Sequence, residues 1–354
     1  MMLIGVLFST QPFNSLLHAG TGINKGFILP FIAMECVREE KDLRRLVWAC
    51  AFACCWQGAD GVWQAVSGRD FIMGYPLSSG RLTGSLGDYP VGNYIALALI
   101  PAFAIWFILR EKFGYAKSTL LAAALLWPAF FLLLGAAARS GILALAVALG
   151  LWCWLVRKGD SLLQRFFLSC AASFCLLALC FVLTPRQGVA TAASVVDDGR
   201  WKLWELGWRV FCEYPWFGAG AGQYNAAFRA LGLAPAPGDP ITMSHPHSLY
   251  LDVLYAHGIV GFVPGMIFLF GFLLWGYRRI RPGLLAEWTG RAGGLYWHLA
   301  AAFWAGYAGW LVNGIFGHDF YRTWWLALAM SYLGIMTGAV VNGIQPGNAE
   351  ERPG

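Results

Sequence analysis

The stretch Ser118–Leu134, STLLAAALLWPAFFLLL, contains no charged residue and is closed by Lys112 and Lys117 on one side and Arg139 on the other. A helix needs roughly 17 or more apolar residues to cross the hydrocarbon core, so this stretch reads as a membrane span. Comparable runs lie on both sides of it: Leu46–Val66, Val91–Leu109, Gly141–Leu155, Phe166–Leu183, Ser248–Tyr277, Tyr296–Phe316 and Thr323–Val341. Met1–Phe8 and Phe27–Val37 are weaker and too short to span upright. The predicted fold is an all-α polytopic membrane protein, a bundle of about ten transmembrane helices.

The composition agrees. Of 354 residues, 58% are hydrophobic and 12% charged, and the mean hydropathy is +0.57. Soluble domains carry about a quarter charged residues, so a soluble enzyme, a disordered regulator and a small disulfide scaffold are excluded. All cysteines but Cys212 lie in or beside apolar runs, where the thiol acts as a small hydrophobe. The N-terminus, MMLIGVLFST, lacks the charged head and cleavage site of a signal peptide.

Basic clusters recur at Arg38/Lys41/Arg44/Arg45, Arg110/Lys112/Lys117, Arg157/Lys158/Arg165 and Arg278/Arg279/Arg281/Arg291. Successive clusters are two spans apart, so all four can face the cytoplasm. The net charge of +6 then reflects orientation and gives no support to nucleic-acid binding. The alternate connections face outward, which puts Arg81, Arg139, Arg200, His247, Asp319 and Arg322 on one outer side. This reading divides the chain into N-terminal helices (1–183), an outer loop with an amphipathic helix (184–247), C-terminal helices (248–342) and a cytoplasmic tail (343–354). Trp201, Trp204, Leu206, Trp208 and Phe211 would supply much of the amphipathic helix's apolar surface.

Several outer residues can carry chemistry. Arg139 opens a helix at the membrane edge, where an arginine either snorkels to headgroups or holds a ligand. Arg200 follows Asp197 and Asp198, which can pair with it, and Arg81 follows a Gly-Ser turn. Together the three arginines describe a pocket for a phosphate-bearing ligand. His247, in Ser-His-Pro-His-Ser, is either a helix-capping residue or a proton acceptor. His245 pairs with it, yet a zinc site needs further ligands and none is close in sequence. Asp319 and Arg322 can pair with each other or support a histidine or sugar. Gly218, Gly220 and Gly222 do not form a dinucleotide loop, because no strand precedes them.

In this order the motifs resemble those of the O-antigen ligase and polymerase superfamily, from about Lys25 to Leu333. The resemblance rests on Arg81-Leu-Thr-Gly-Ser-Leu-Gly87 with Asn93 beyond it, on Arg139-Ser-Gly141, and on Gly199-Arg200 with Trp204. It rests further on Tyr214-Pro-Trp-Phe-Gly218-Ala-Gly-Ala-Gly222 and on His247-Ser-Leu-Tyr-Leu251 followed by Gly258-Ile-Val-Gly261. Two positions depart from the pattern. Ala256 stands where an acidic residue is common, with Asp252 one turn earlier as a substitute, and Ser248 replaces the commoner Asn. The family's usual spans number about twelve, a shortfall that one or two further N-terminal helices would make up.

The resemblance implies a class C glycosyltransferase-like bundle in the bacterial inner membrane, with its active site facing the periplasm. It further implies transfer of a glycan from undecaprenyl pyrophosphate to lipid A–core oligosaccharide, by metal-independent inverting displacement without a cofactor. His247 would be the catalytic base; Arg139, Arg200 and Arg81 would bind pyrophosphate; Asp319, Arg322, His245 and Asp252 are supporting candidates. Repeat-unit polymerase and protein O-oligosaccharyltransferase share this donor and stay open as alternatives. A transporter or flippase of an anionic lipid-linked substrate is the non-enzyme alternative; such proteins more often show broken helices at the midplane and internal repeats.

Overall fold

The computed structural model describes residues 6–18, 24–78, 80–87, 91–156, 200–232, 245–291, 293–317 and 323–343. Its principal helices, in chain order, are α1 (Pro12–His18), α2 (Leu29–Glu35), α3 (Glu40–Ser67), α4 (Val91–Ala102), α5 (Ile105–Gly135) and α6 (Arg139–Val156). They continue with α7 (Arg200–Glu213), α8 (Tyr224–Ala230), α9 (Leu249–Trp288), α10 (Tyr296–Asn313) and α11 (Thr323–Asn342). The only strand-like pairing among the described residues is two isolated bridges, Arg69 with Pro76 and Ser78 with Arg81. Among the described residues four helices are long and apolar enough to cross a membrane: α5, α6, α9 and Trp324–Asn342 of α11. The chain is an all-helical polytopic membrane protein. The expected span Phe166–Leu183 and the basic cluster Arg157/Lys158/Arg165 lie outside the described residues.

Two sequence expectations change. The run Val91–Leu109 is split, because α4 ends at Ala102 just after Pro101 and α5 starts at Ile105. The basic loop Arg110–Lys117 is helical on either side of a single break at Gly114 (φ 71°, ψ −180°).

The residues cluster into two compact units. The first comprises Met1–Leu29, Gln187–Leu274 and Asn313–Met330; the second comprises Pro30–Arg186, Trp275–Val312 and Ser331–Gly354.

In the second unit, α3 lies backbone-close to α5. A Cβ on Gly58 would stand 2.3 Å from the Ala129 nitrogen, and one on Gly61 would stand 2.7 Å from Leu132 Cδ1. Without an oil–water driving force between spans, such small residues let dispersion contacts form along the helices. The other side of α3 exposes Trp48, Phe52, Trp56 and Trp63, as a lipid-facing surface would. α4 is buried along nearly its whole length, and Tyr332 of α11 donates to its Leu97 carbonyl at 3.1 Å.

The basic segments meet at one end of this unit. Arg44 makes a two-pronged bond to Glu111 (2.6 and 2.8 Å) and donates through Nε to Glu40 (2.6 Å). Glu40 also accepts the Leu295 amide at 3.0 Å, and Asn342 donates to the Val37 carbonyl at 2.9 Å. The start of α3, the Glu111 region of α5, the start of α10 and the end of α11 therefore share this end.

Candidate functional site

At the far end of α3 the second unit builds a cradle for Arg81. Gln57, Asp60 and Gln64 recur at helical spacing on one face of an otherwise apolar run, and Asp60 and Gln64 are fully buried. Gln64 Oε1 accepts the amides of Thr83 and Gly84, both at 2.9 Å. Its Nε2 donates to Thr83 Oγ1 (2.9 Å) and to the Tyr75 carbonyl (3.1 Å). Gln57 bonds Ser85, and Asp60 Oδ1 accepts the Phe71 amide at 2.9 Å. Asp70 turns the preceding segment by accepting the amides of Ile72, Met73 and Tyr75. Ser78 and Arg81 exchange backbone hydrogen bonds of 3.1 and 2.9 Å, which closes the turn that presents Arg81.

This loop is joined to the segment carrying Arg139. Leu82 donates its amide to the Gly135 carbonyl at 3.1 Å. Two residues before Arg139, Ala137 takes a left-handed φ of 49°, a conformation costly for a residue with a side chain. Ser140 Oγ bonds Asn93 Oδ1 at 3.2 Å, and Gly141 abuts Asn93. The segments of Arg81, Asn93 and Arg139 thus converge within the second unit, separated from the Glu40–Arg44 end by most of the length of α3.

In the first unit the turn His245-Pro246-His247 leads into α9. His247 has φ 52°, rare for a non-glycine residue. Its amide donates to His245 Nδ1 at 3.3 Å, and the two rings lie 4.2 Å apart at 60°. A Nδ1 that accepts leaves the His245 proton on Nε2. His245 is buried and His247 half-buried. The Leu249 amide donates to the Gly314 carbonyl at 2.7 Å, which ties the start of α9 to the turn after α10.

α7 packs on this turn through Gly207, whose added Cβ would stand 3.2 Å from Pro246. Its buried stripe is Leu203, Gly207 and Val210, whereas Trp201 and Trp208 are exposed. Of the apolar residues expected on this helix, Trp204 is half-buried and stacks on Phe316 at 5.9 Å, while Trp201 and Trp208 face outward. Tyr224 of α8 donates to the Leu203 carbonyl at 2.9 Å, and its ring lies 5.2 Å from that of Tyr255, tilted at 56°. Burial, and then the charge of fully buried Asp252, push the Tyr224 phenol above its ordinary value and keep it a neutral donor.

The apolar run Ser248–Tyr277 is not one continuous helix. It breaks at Gly258, with φ 59° and ψ −168°. The Tyr255 and Ala256 carbonyls accept from Ala219 (2.8 Å) and Gly220 (3.1 Å), while Ile259 and Val260 donate to Pro215 (2.8 Å) and Trp216 (3.1 Å). The loop after α7 thereby satisfies backbone groups that the break would otherwise leave unpaired, as an apolar setting demands. Glycine is required at the splice, because a Cβ at Gly258 would lie 2.3 Å from the Trp216 carbonyl oxygen. Residues before α1 join it: the Thr10 amide and Ser9 Oγ donate to the Ala219 carbonyl at 3.0 and 3.1 Å.

Arg200 starts α7, but its side chain, like Asp319 and Arg322, lies outside the described residues. Among the described residues no three His, Cys, Asp or Glu side chains gather as a metal site. The structure brings together the Arg81 and Arg139 segments in one unit, and His245, His247 and Asp252 with α7 in the other. Sequence reasoning missed Gln57, Asp60 and Gln64. Their polar spacing inside the run Leu46–Val66 was the available signal.

The described residues thus combine long apolar helices with a histidine turn packed against α7. Residues 123–264, short of half the chain, match the family model described as O-antigen ligase, which supports the resemblance to the O-antigen ligase superfamily. The matched stretch holds Arg139, α7, the splice at Gly258 and His247; Arg81, Asp319 and Arg322 lie outside it. No curated protein matches the chain. The family match supports glycan transfer of the ligase or polymerase type.

Proposed function

We propose that this protein transfers a glycan from undecaprenyl pyrophosphate to the lipid A–core oligosaccharide at the periplasmic face of the inner membrane. His247 takes the proton of the acceptor hydroxyl. The freed oxygen attacks the anomeric carbon from the face opposite the pyrophosphate, the carbon–oxygen bond to pyrophosphate breaks, and undecaprenyl pyrophosphate leaves with the electron pair. Arg139, Arg200 and Arg81 neutralise charge on the departing pyrophosphate through forked hydrogen bonds. Asp252, Asp319, Arg322 and His245 support the site; His245 does so by accepting the His247 amide.

The observation that carries this reading is the His247 turn. A half-buried imidazole is held in a left-handed conformation, inside the stretch that matches the ligase family. Strained backbone of this kind concentrates at functional sites. The test is a lipopolysaccharide gel from a deletion strain complemented with the wild-type protein or His247→Ala. Loss of O-antigen from lipid A–core, with full-length polymer retained on the carrier, is the expected result. Normal laddering by an expressed His247→Ala protein overturns the proposal, and accumulation of single repeat units assigns the protein to the polymerases instead.

A further inference from the structure

At the basic-loop end of the second unit, the later part of α9, the start of α10 and the end of α11 surround a cavity of about 480 Å³. Its lining includes Arg278, Arg279, Trp275, Trp297, Val340 and Val341. We infer that this cavity binds the headgroup of an anionic phospholipid at the membrane boundary.

The wall is built. The Trp297 indole is wedged between glycines, so that a Cβ on Gly283 would stand 2.2 Å from the ring and one on Gly343 2.5 Å from it. Glu287 holds the start of α10 by accepting the Trp297 amide (2.8 Å) and meeting His298 Nδ1 (2.5 Å). The Tyr296 hydroxyl donates to the Ala339 carbonyl at 2.8 Å, which fastens α10 to α11.

The depth suits a headgroup. α9 exposes Ile267, Phe270 and Leu274, the surface expected against acyl chains, and Arg278 and Arg279 follow one turn later. Val341, on the rim, is 62% exposed. A lipid would lay its first acyl carbons along Val340 and Val341 and bring its phosphodiester to the guanidiniums.

The charge is complementary. Among the described residues no acidic side chain lines the cavity. Among the described residues neither Arg278 nor Arg279 forms an ion pair, whereas nearby Arg281 is occupied with the Tyr277 hydroxyl at 3.0 Å. Basic pockets between helix ends are a recognised means of holding anionic headgroups.

The test uses the purified full-length protein in neutral detergent, with thermal unfolding followed against added phosphatidylglycerol, phosphatidylcholine or inorganic phosphate. Phosphatidylglycerol should raise the midpoint and phosphatidylcholine should not. The double substitution Arg278→Gln/Arg279→Gln should weaken the apparent affinity for phosphatidylglycerol on the order of 30-fold. Arg281→Gln should leave it unchanged. Val341→Trp, which fills the cavity without removing charge, should also abolish the shift and serves if the double variant does not fold. An equal response to both lipids, an undiminished shift in the double or filled variants, or an equal shift with inorganic phosphate each overturns the inference.

Discussion

Gln64 grips Thr83 from both ends of its side-chain amide: Oε1 accepts the Thr83 amide and Nε2 donates to the Thr83 hydroxyl, each at 2.9 Å. The pair fixes the loop that presents Arg81 to a fully buried position on α3. Gln64→Leu leaves the amides of Thr83 and Gly84 without this acceptor, at a cost of about 2–4 kcal/mol. Thermal unfolding should fall accordingly, and protease should cut between Tyr75 and Gly84 sooner. An unchanged midpoint and cleavage pattern would remove Gln64 from this role.

His247 combines a chemical and a conformational demand, and the two can be separated. Asparagine populates left-handed backbone readily but cannot accept a proton near neutral pH. His247→Asn should therefore fold as the wild type does while glycan transfer falls about 10²–10⁴-fold, the span of general acid–base catalysis. Retained transfer, measured on membranes with matched protein levels, would assign His247 a conformational role only.

The splice at Gly258 makes a sharp contrast with another glycine of the same helix. Gly258→Ala puts a Cβ against the Trp216 carbonyl and into backbone torsions that are essentially glycine-only. Yield of monodisperse protein after detergent extraction should collapse. Gly271→Ala meets nothing within 4 Å and should be neutral or raise the midpoint slightly, since alanine is the better helix former. Equal behaviour of the two variants would mean the break in α9 is not imposed by Gly258.

Asp42 supplies a pH dependence with a definite sign. Burial opposes its ionisation, but the amides of Arg38 and Glu39, with the charges of Arg45 and Lys41, outweigh burial and hold the carboxyl below the ordinary 3.8. A folded-state value below the unfolded one contributes stability above the unfolded value and loses it as pH falls through the folded one. Asp42→Asn should lower stability near neutral pH and flatten the acid limb below about pH 4. An acid limb identical to the wild type's would contradict this role.

Orientation is checked independently of chemistry. A reporter fused after Arg229, behind α8, should read periplasmic, and a cytoplasmic reading would contradict the proposed outward placement of α7 and His247.

Much of the architecture was legible from charge and hydropathy alone. Ser118–Leu134 lies wholly within α5, Arg139 begins α6 and Arg200 begins α7. Burial of apolar length and the spacing of basic clusters are local properties, and a linear sequence displays them directly. The turn ahead of Arg81 was legible for the same reason, as its Gly and Ser residues act within a few positions.

Other features depend on partners distant in sequence. The apolar run of α9 gives no sign by composition that it breaks, because the break is stabilised by amides and carbonyls of Pro215–Gly220. Trp201 and Trp208 are as apolar as Leu203 and Val210, yet only the latter pair turns inward, since Pro246 and Tyr224 happen to occupy that side. Gln64 reads as a blemish in a span until the loop it holds is folded against it. By itself the sequence determined a membrane bundle and a set of candidate charged residues, while the basic clusters expected as loops at Arg110–Lys117 and Arg278–Arg281 lie on helices. Tertiary structure decided which polar groups are satisfied by which, because a buried hydrogen bond needs two groups that the chain brings together only on folding.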